Sequence, residues 1–106
     1  RMVAQLLGRC GPLWLALDAP CGTGRLATVL ARRATRVVGL DLSPAMLRAA
    51  SGVGARVQGD CERLPFEDGR FELVQCIRLL HHLPSEAHVD ACLRELARVS
   101  SRWVLV

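Results

Sequence analysis

The sequence predicts an α/β fold: one parallel sheet with helices packed on both faces. Three observations carry that prediction. Short apolar runs alternate along the whole chain with stretches of helical periodicity. A glycine-rich turn, "APCGTG", follows the first run. Three successive runs end in an acid, at Asp18, Asp41 and Asp60. In open sheets of this kind ligands bind beyond the carboxyl ends of the strands, where the strand order reverses. Three aspartates at successive strand ends therefore line one edge of one crevice.

The elements follow in order. "LWLALD" (13–18) is the first strand, and after the glycine turn Leu26, Val29, Leu30 and Arg33 recur at helical spacing, with the apolar residues on one face. "RVVGLD" (36–41) is a second, β-branched strand. Ser43 suits a helix N-cap and Pro44 the first helical position; that helix is expected to stop near Ser51–Gly52. "ARVQGD" (55–60) is the third strand, and Pro65 with Asp68–Gly69 marks the following loop. "FELVQCI" (71–77) is the fourth. Ser85 caps a helix whose Val89, Leu93 and Leu96 fall at i, i+4 and i+7, and "RWVLV" (102–106) is the fifth strand.

A chain of 106 residues, 51% hydrophobic and 23% charged, is bounded to one core-forming domain, residues 1–106. No apolar run approaches the ~20 residues of a membrane span, and the start carries no signal-peptide pattern. The first residue is Arg1 and the last five are strand-like, so the chain is expected to be part of something longer. The net charge of +4 comes from fourteen arginines and no lysine, scattered from Arg1 to Arg102 with one cluster at Arg32, Arg33 and Arg36. A nucleic-acid surface would interleave aromatics with a basic stripe, and Trp14, Phe66, Phe71 and Trp103 do not. Cys10, Cys21, Cys61, Cys76 and Cys92 form no zinc spacing; an odd count without a signal peptide predicts buried, reduced thiols in the cytoplasm, and no metal.

Gly22, Gly24 and Ala27 match the G-x-G-x-x-G/A spacing of a dinucleotide turn. Asp18, four residues ahead, speaks against it, since a carboxylate beside a pyrophosphate adds like-charge repulsion in a partly desolvated site. S-adenosylmethionine brings no phosphate; it brings an ammonium and a sulfonium beside an adenosine. Asp18 then suits the ammonium, directly or through water, while the glycines let backbone come close. Asp41 suits the ribose hydroxyls and Asp60 the adenine amino group.

The segments "LDAPCGTG", "VVGLDLSPAML", "GDCERLPFEDGRFELV" and "LLHHL" resemble, in order and spacing, successive motifs of class I S-adenosylmethionine-dependent methyltransferases of the small-molecule type often called methyltransferase type 11. The resemblance covers about residues 13–106. It implies a Rossmann-like doubly wound, mostly parallel sheet, here truncated after strand five, with the donor over the first two strands and a small-molecule acceptor above it. By position, Asp18 and the segment Pro20–Gly24, including Cys21, Gly22 and Gly24, meet the methionine part. Asp41 and Leu42 meet the ribose, and Asp60 and Cys61 meet adenine. Pro20 departs from the family's usual glycine but keeps the backbone carbonyl. The family's last two strands are absent, so "RWVLV" is expected to form an edge open to association.

Displacement at a sulfonium runs largely on proximity and orientation, so no catalytic group is assigned. His81 and His82 read as helix-start or packing residues, Arg78 as solvated, Met46 as core and Cys21 as a turn residue rather than a nucleophile. The end of strand four, "CIRL", lacks the Asn/Asp-Pro-Pro-aromatic pattern of nucleobase amino-methylating enzymes, which makes nucleic acid a poor acceptor. Two alternatives stay open: a nicotinamide-dependent oxidoreductase, and a nucleoside-binding fragment without turnover.

Overall fold

The structure, a computed structural model, describes residues 11–77 and 79–106. Arg1, Cys10 and Arg78, each read above, lie outside the described residues. The elements run β1 (Leu13–Asp18), α1 (Arg25–Leu30), β2 (Ala34–Asp41), α2 (Pro44–Ala49), β3 (Ala55–Gln58), β4 (Phe71–Gln75), a 3-10 turn (Leu80–His82), α3 (Glu86–Val99) and β5 (Ser100–Leu105). The described strands pair in parallel in the order β3-β2-β1-β4-β5. The chain builds outward from β1 to β3, then returns to build β4 and β5 on the other side. The switch point therefore lies between β1 and β4, as strands alternating with helices predict.

Both faces of the sheet are covered. Leu15, Leu17, Leu40 and Phe71 pack with Cys92, Leu96 and Val99 of α3 on one face. Leu13, Ala16, Val37 and Leu73 pack with Ala27 and Leu30 of α1 on the other. The caps follow the sequence. Ser43 Oγ accepts the Met46 N–H at 3.2 Å with Pro44 in the first turn, and Ser85 Oγ accepts the His88 N–H at 3.4 Å. At the far end of α2, Arg56 donates from Nε to the Leu47 carbonyl (2.9 Å) and from Nη2 to that of Ala50 (2.7 Å), closing carbonyls a helix terminus leaves open.

Strand boundaries moved by two residues at several ends. β2 starts at Ala34 and β5 at Ser100, because backbone pairing (Leu13 with Ala34, Phe71 with Ser100) continues through polar residues that a hydrophobic pattern passes over. β3 ends at Gln58, short of Asp60. The Gly59 N–H still reaches the Asp41 carbonyl at 3.0 Å, and then the chain turns so that Asp60 bridges back to Arg63. β4 stops at Gln75 rather than residue 77.

The loop from β3 to β4 is pinned by Arg98 of α3. Its guanidinium donates to the carbonyls of Leu64 (2.9 Å) and Phe66 (2.7 Å), to Asp68 Oδ1 (2.9 Å) and to Glu95 (2.7 Å). Glu95 in turn accepts the Leu64 N–H at 2.7 Å. A planar fork serves this many acceptors where a lysine ammonium could not. Among the described residues no helix is long and apolar enough to cross a membrane.

Candidate functional site

A cavity of about 490 Å³ opens at the carboxyl ends of β1 to β4. Pro20 and Gly22 reach it from the loop after β1, and Asp41, Leu42, Ser43 and Met46 from the end of β2 and the start of α2. Gly59, Asp60, Cys61 and Glu62 reach it from the turn after β3, and Leu79 and Leu83 from the segment after β4. A larger cavity, about 740 Å³, lies elsewhere on the domain, lined by Leu15, Val38, Val57, Phe66 and Phe71, with Arg36 and Arg70 its charged residues. It is not at the strand carboxyl ends and holds none of the acids, so the smaller cavity is the candidate site.

Asp41 organises that site. Its Oδ2 accepts the Gly22 N–H and its Oδ1 the Ser43 N–H, both at 2.9 Å, which ties the turn after β1 to the start of α2. Two further backbone bonds set the turn: Cys21 N–H to the Leu40 carbonyl and Gly24 N–H to the Cys21 carbonyl, each 2.9 Å. Gly22 and Gly24 both have positive φ, +54° and +85°, but for different ends. A side chain on Gly22 would meet open space, whereas one on Gly24 would lie 1.8 Å from the Ser51 backbone oxygen. Gly24 is a packing glycine; Gly22 lies on the cavity wall.

Asp60 accepts the Glu62 N–H at Oδ1 (2.9 Å) and is otherwise exposed to the cavity. Glu62 is held by His88 Nδ1 at 2.7 Å. The apolar part of the wall is Leu42, 63% exposed, with Met46, 43% exposed. Cys61 is buried at the wall, where a hydrogen bond with Cys76 and then burial push its thiol up, away from the reactive thiolate.

Six of the nine residues expected from the sequence line the cavity: Pro20, Gly22, Asp41, Leu42, Asp60 and Cys61. Asp18, Cys21 and Gly24 do not. Cys21 turns inward onto Leu47 and Ala50, and burial pushes its thiol to about 11. Asp18 is 1% exposed, behind the turn rather than in the crevice. Met46, read as core, lines the wall instead, since α2 presents Leu47 to the interior and leaves Met46 outward. Ser43, Gly59, Glu62, Leu79 and Leu83 were missed; Leu79 and Leu83 bracket the histidine pair, and only a helical offset of four between them hinted at a shared face. His81 and His82 are exposed, with ring centroids 4.0 Å apart, and do not line the cavity. Among the described residues no group of His, Cys, Asp and Glu is placed to hold a metal ion.

Burial pushes the Asp18 carboxyl up to about 7; a hydrogen bond from Gln75 opposes this and the nearby Asp41 carboxylate adds to it. A folded carboxyl raised above its unfolded value of ~3.9 binds more protons than the unfolded chain between those values. Stability therefore falls as pH rises from about 4 to 7 and levels off above. Asp18→Asn, which cannot ionise, is expected to raise the melting temperature at pH 8 more than at pH 5. An equal shift at both pH values would refute an ionised, uncompensated Asp18.

A family model described as "Methyltransferase domain" matches residues 17–102. The ubiquinone biosynthesis O-methyltransferase of Psychrobacter arcticus is 37% identical over 92 residues, 76% of this chain and 36% of that protein. The same-named enzyme of Bordetella parapertussis is 32% identical over 96 residues, 83% of this chain and 39% of that protein. This chain thus spans under two fifths of the length of those relatives. Among solved structures, SAM-bound CalS10, an amino pentose methyltransferase from Micromonospora echinaspora, superposes with a TM-score of 0.80 at 28% identity, over 93% of this chain and 45% of that one.

Proposed function

Because the chain belongs to the methyltransferase-domain family, we propose that it binds S-adenosylmethionine in the 490 Å³ cavity and serves methyl transfer to a small-molecule acceptor. One observation carries the choice of donor. The Gly22 N–H, the amide that a dinucleotide turn would offer to a pyrophosphate, is already bound by the Asp41 carboxylate. The described lining adds Asp60 and Glu62 and holds no arginine, lysine or histidine. Such a wall repels phosphate and suits a cationic nucleoside. On this reading Asp41 keeps lone pairs for ribose hydroxyls, Asp60 Oδ2 accepts from the adenine amino group, and Leu42 and Met46 cover the ring's apolar face. Asp18, Cys21 and Gly24 act from behind the wall, by charge and by holding the turn.

The donor's sulfonium supplies a methyl group on an already activated leaving group. The chain's own residues bind and orient: the Pro20–Gly24 turn and Asp41 set the position, and the apolar Leu79 and Leu83 exclude water on the side toward β4. The acceptor is a small molecule, as the names of the relatives and of CalS10 suggest, and the four described buried thiols fit a reducing, cytoplasmic compartment.

Calorimetry is expected to show binding of S-adenosylmethionine and S-adenosylhomocysteine and negligible binding of NAD. Tighter binding of NAD than of either nucleoside would overturn the assignment. A labelled-donor screen across hydroxyl, amine and carbon-acid acceptors with the full-length protein then identifies the acceptor class.

A further inference from the structure

Asp18 and Gln75 are register partners on adjacent parallel strands, β1 and β4, so their side chains leave the sheet side by side on one face. On the other flank Asp18 faces Gly39 of β2, which has no side chain to offer. Both residues are fully buried, at 1% and 0% exposure. Gln75 Nε2 donates to Asp18 Oδ1 at 3.3 Å, which leaves Asp18 Oδ2 and Gln75 Oε1 buried without a partner among the described residues. An ionised carboxylate only accepts, as does an amide oxygen, so neither orphan relieves the other. A proton on Oδ2 changes that: the acid O–H donates to the amide oxygen while the amide N–H donates to the acid oxygen, and one proton satisfies two buried atoms. Among the described residues the titratable groups facing Asp18 are Asp41, Cys21 and Cys76, none of them a cation.

We propose that Gln75 is a positioning residue for the donor site: burial keeps Asp18 a neutral acid paired with the Gln75 amide, and when a cationic nucleoside binds in front of the pair the Asp18 proton is released to solvent while the Gln75 N–H stays on the carboxylate. The inference rests on the donor assignment above and deepens it. Binding of the cation and loss of the Oδ2 proton are linked, so Asp18 becomes the carboxylate that balances the ligand's charge only when that charge is present. In its bound form the carboxylate keeps the Gln75 N–H on Oδ1, and the incoming cation replaces the proton electrostatically.

Below the free-state midpoint near pH 7, one-proton linkage makes donor affinity fall by about tenfold per pH unit; above it, affinity is level. The test is S-adenosylmethionine binding from pH 5.5 to 8.5, in buffers of differing ionisation enthalpy, for wild type, Asp18→Asn and Gln75→Leu. Wild type is expected to release about half a proton per ligand at pH 7. The Asp18→Asn variant should release none and bind as wild type does at its low-pH limit; taking the ratio of the two cancels titration of the ligand. In Gln75→Leu the carboxylate loses its donor, so the bend moves to higher pH. A wild-type to Asp18→Asn affinity ratio that does not vary with pH overturns the proposal. Carbon-13 NMR of the Asp18 carboxyl without ligand separates the two readings. A midpoint near 7 that shifts in Gln75→Leu supports the pair even if no donor binds. A midpoint in the ordinary carboxylate range, near ~4, refutes the pair even if the donor binds well. If Gln75→Leu does not fold, the Asp18→Asn ratio and the wild-type midpoint decide.

Discussion

Gly24→Ala is expected to remove a large part of the folding free energy, while Gly22→Ala, two residues away in the same turn, leaves the domain stably folded and impairs the site. At Gly24 the added Cβ would lie 1.8 Å from the Ser51 oxygen and 2.4 Å from the Ser51 nitrogen, backbone atoms that cannot rotate aside. The turn and the loop after α2 would have to part, breaking the Ser51 N–H bond to the Thr23 carbonyl at 2.9 Å. Adding the ~1–2 kcal/mol of a left-handed non-glycine residue, a total of about 3–5 kcal/mol sits at the severe end for one substitution. That is a large part of the ~5–15 kcal/mol that holds a domain of this size. At Gly22 only the φ penalty applies, because nothing lies within 4 Å of the added methyl, but Gly22 lies on the cavity wall. Denaturant melts of both variants, with S-adenosylhomocysteine binding on whatever folds, check the pair. Equal stability losses at the two glycines would contradict these separate roles.

Asp41→Ala is expected to weaken donor binding by at least about tenfold, from loss of charge-assisted hydrogen bonds worth roughly 1.5–3 kcal/mol each. It also reaches into the fold, because both carboxylate oxygens already hold backbone amides, those of Gly22 and Ser43. Removing them frees the turn from α2. Asp41→Asn should do no better than alanine in the turn: it presents one oxygen and one amino group to two N–H donors, and one pair becomes donor against donor. Binding isotherms measure the first effect. The Gly22 amide proton resonance, expected to move upfield in both variants, reports the second. Wild-type affinity in a folded Asp41→Asn variant would refute the role.

Much of the fold was legible because its signals are local. The strand run at 13–18, the start of the fourth strand at Phe71, the Ser43–Pro44 and Ser85 helix starts and the alternation that makes the sheet parallel all depend on near neighbours in sequence. The acid constellation was legible in part: Asp41, at the end of β2, and Asp60, in the turn after β3, reach one cavity. The β3 end and the Arg98 anchor were not, because each depends on a partner far along the chain, such as the Leu64 and Phe66 carbonyls that Arg98 binds.

The sequence alone determined the α/β alternation, the position of the glycine turn and the strand ends at which to look for acids, since hydrophobic period and turn chemistry act over a few residues. The tertiary structure decided what each of those residues does. Asp18 and Gln75 are 57 residues apart in the chain and meet only because β4 pairs beside β1. Gly22 and Gly24 share a turn and a positive φ, and only the approach of Ser51 separates one from the other. Which carboxylate is buried, which amide it binds and which glycine has no room are set by contacts between distant segments, and no local pattern encodes them.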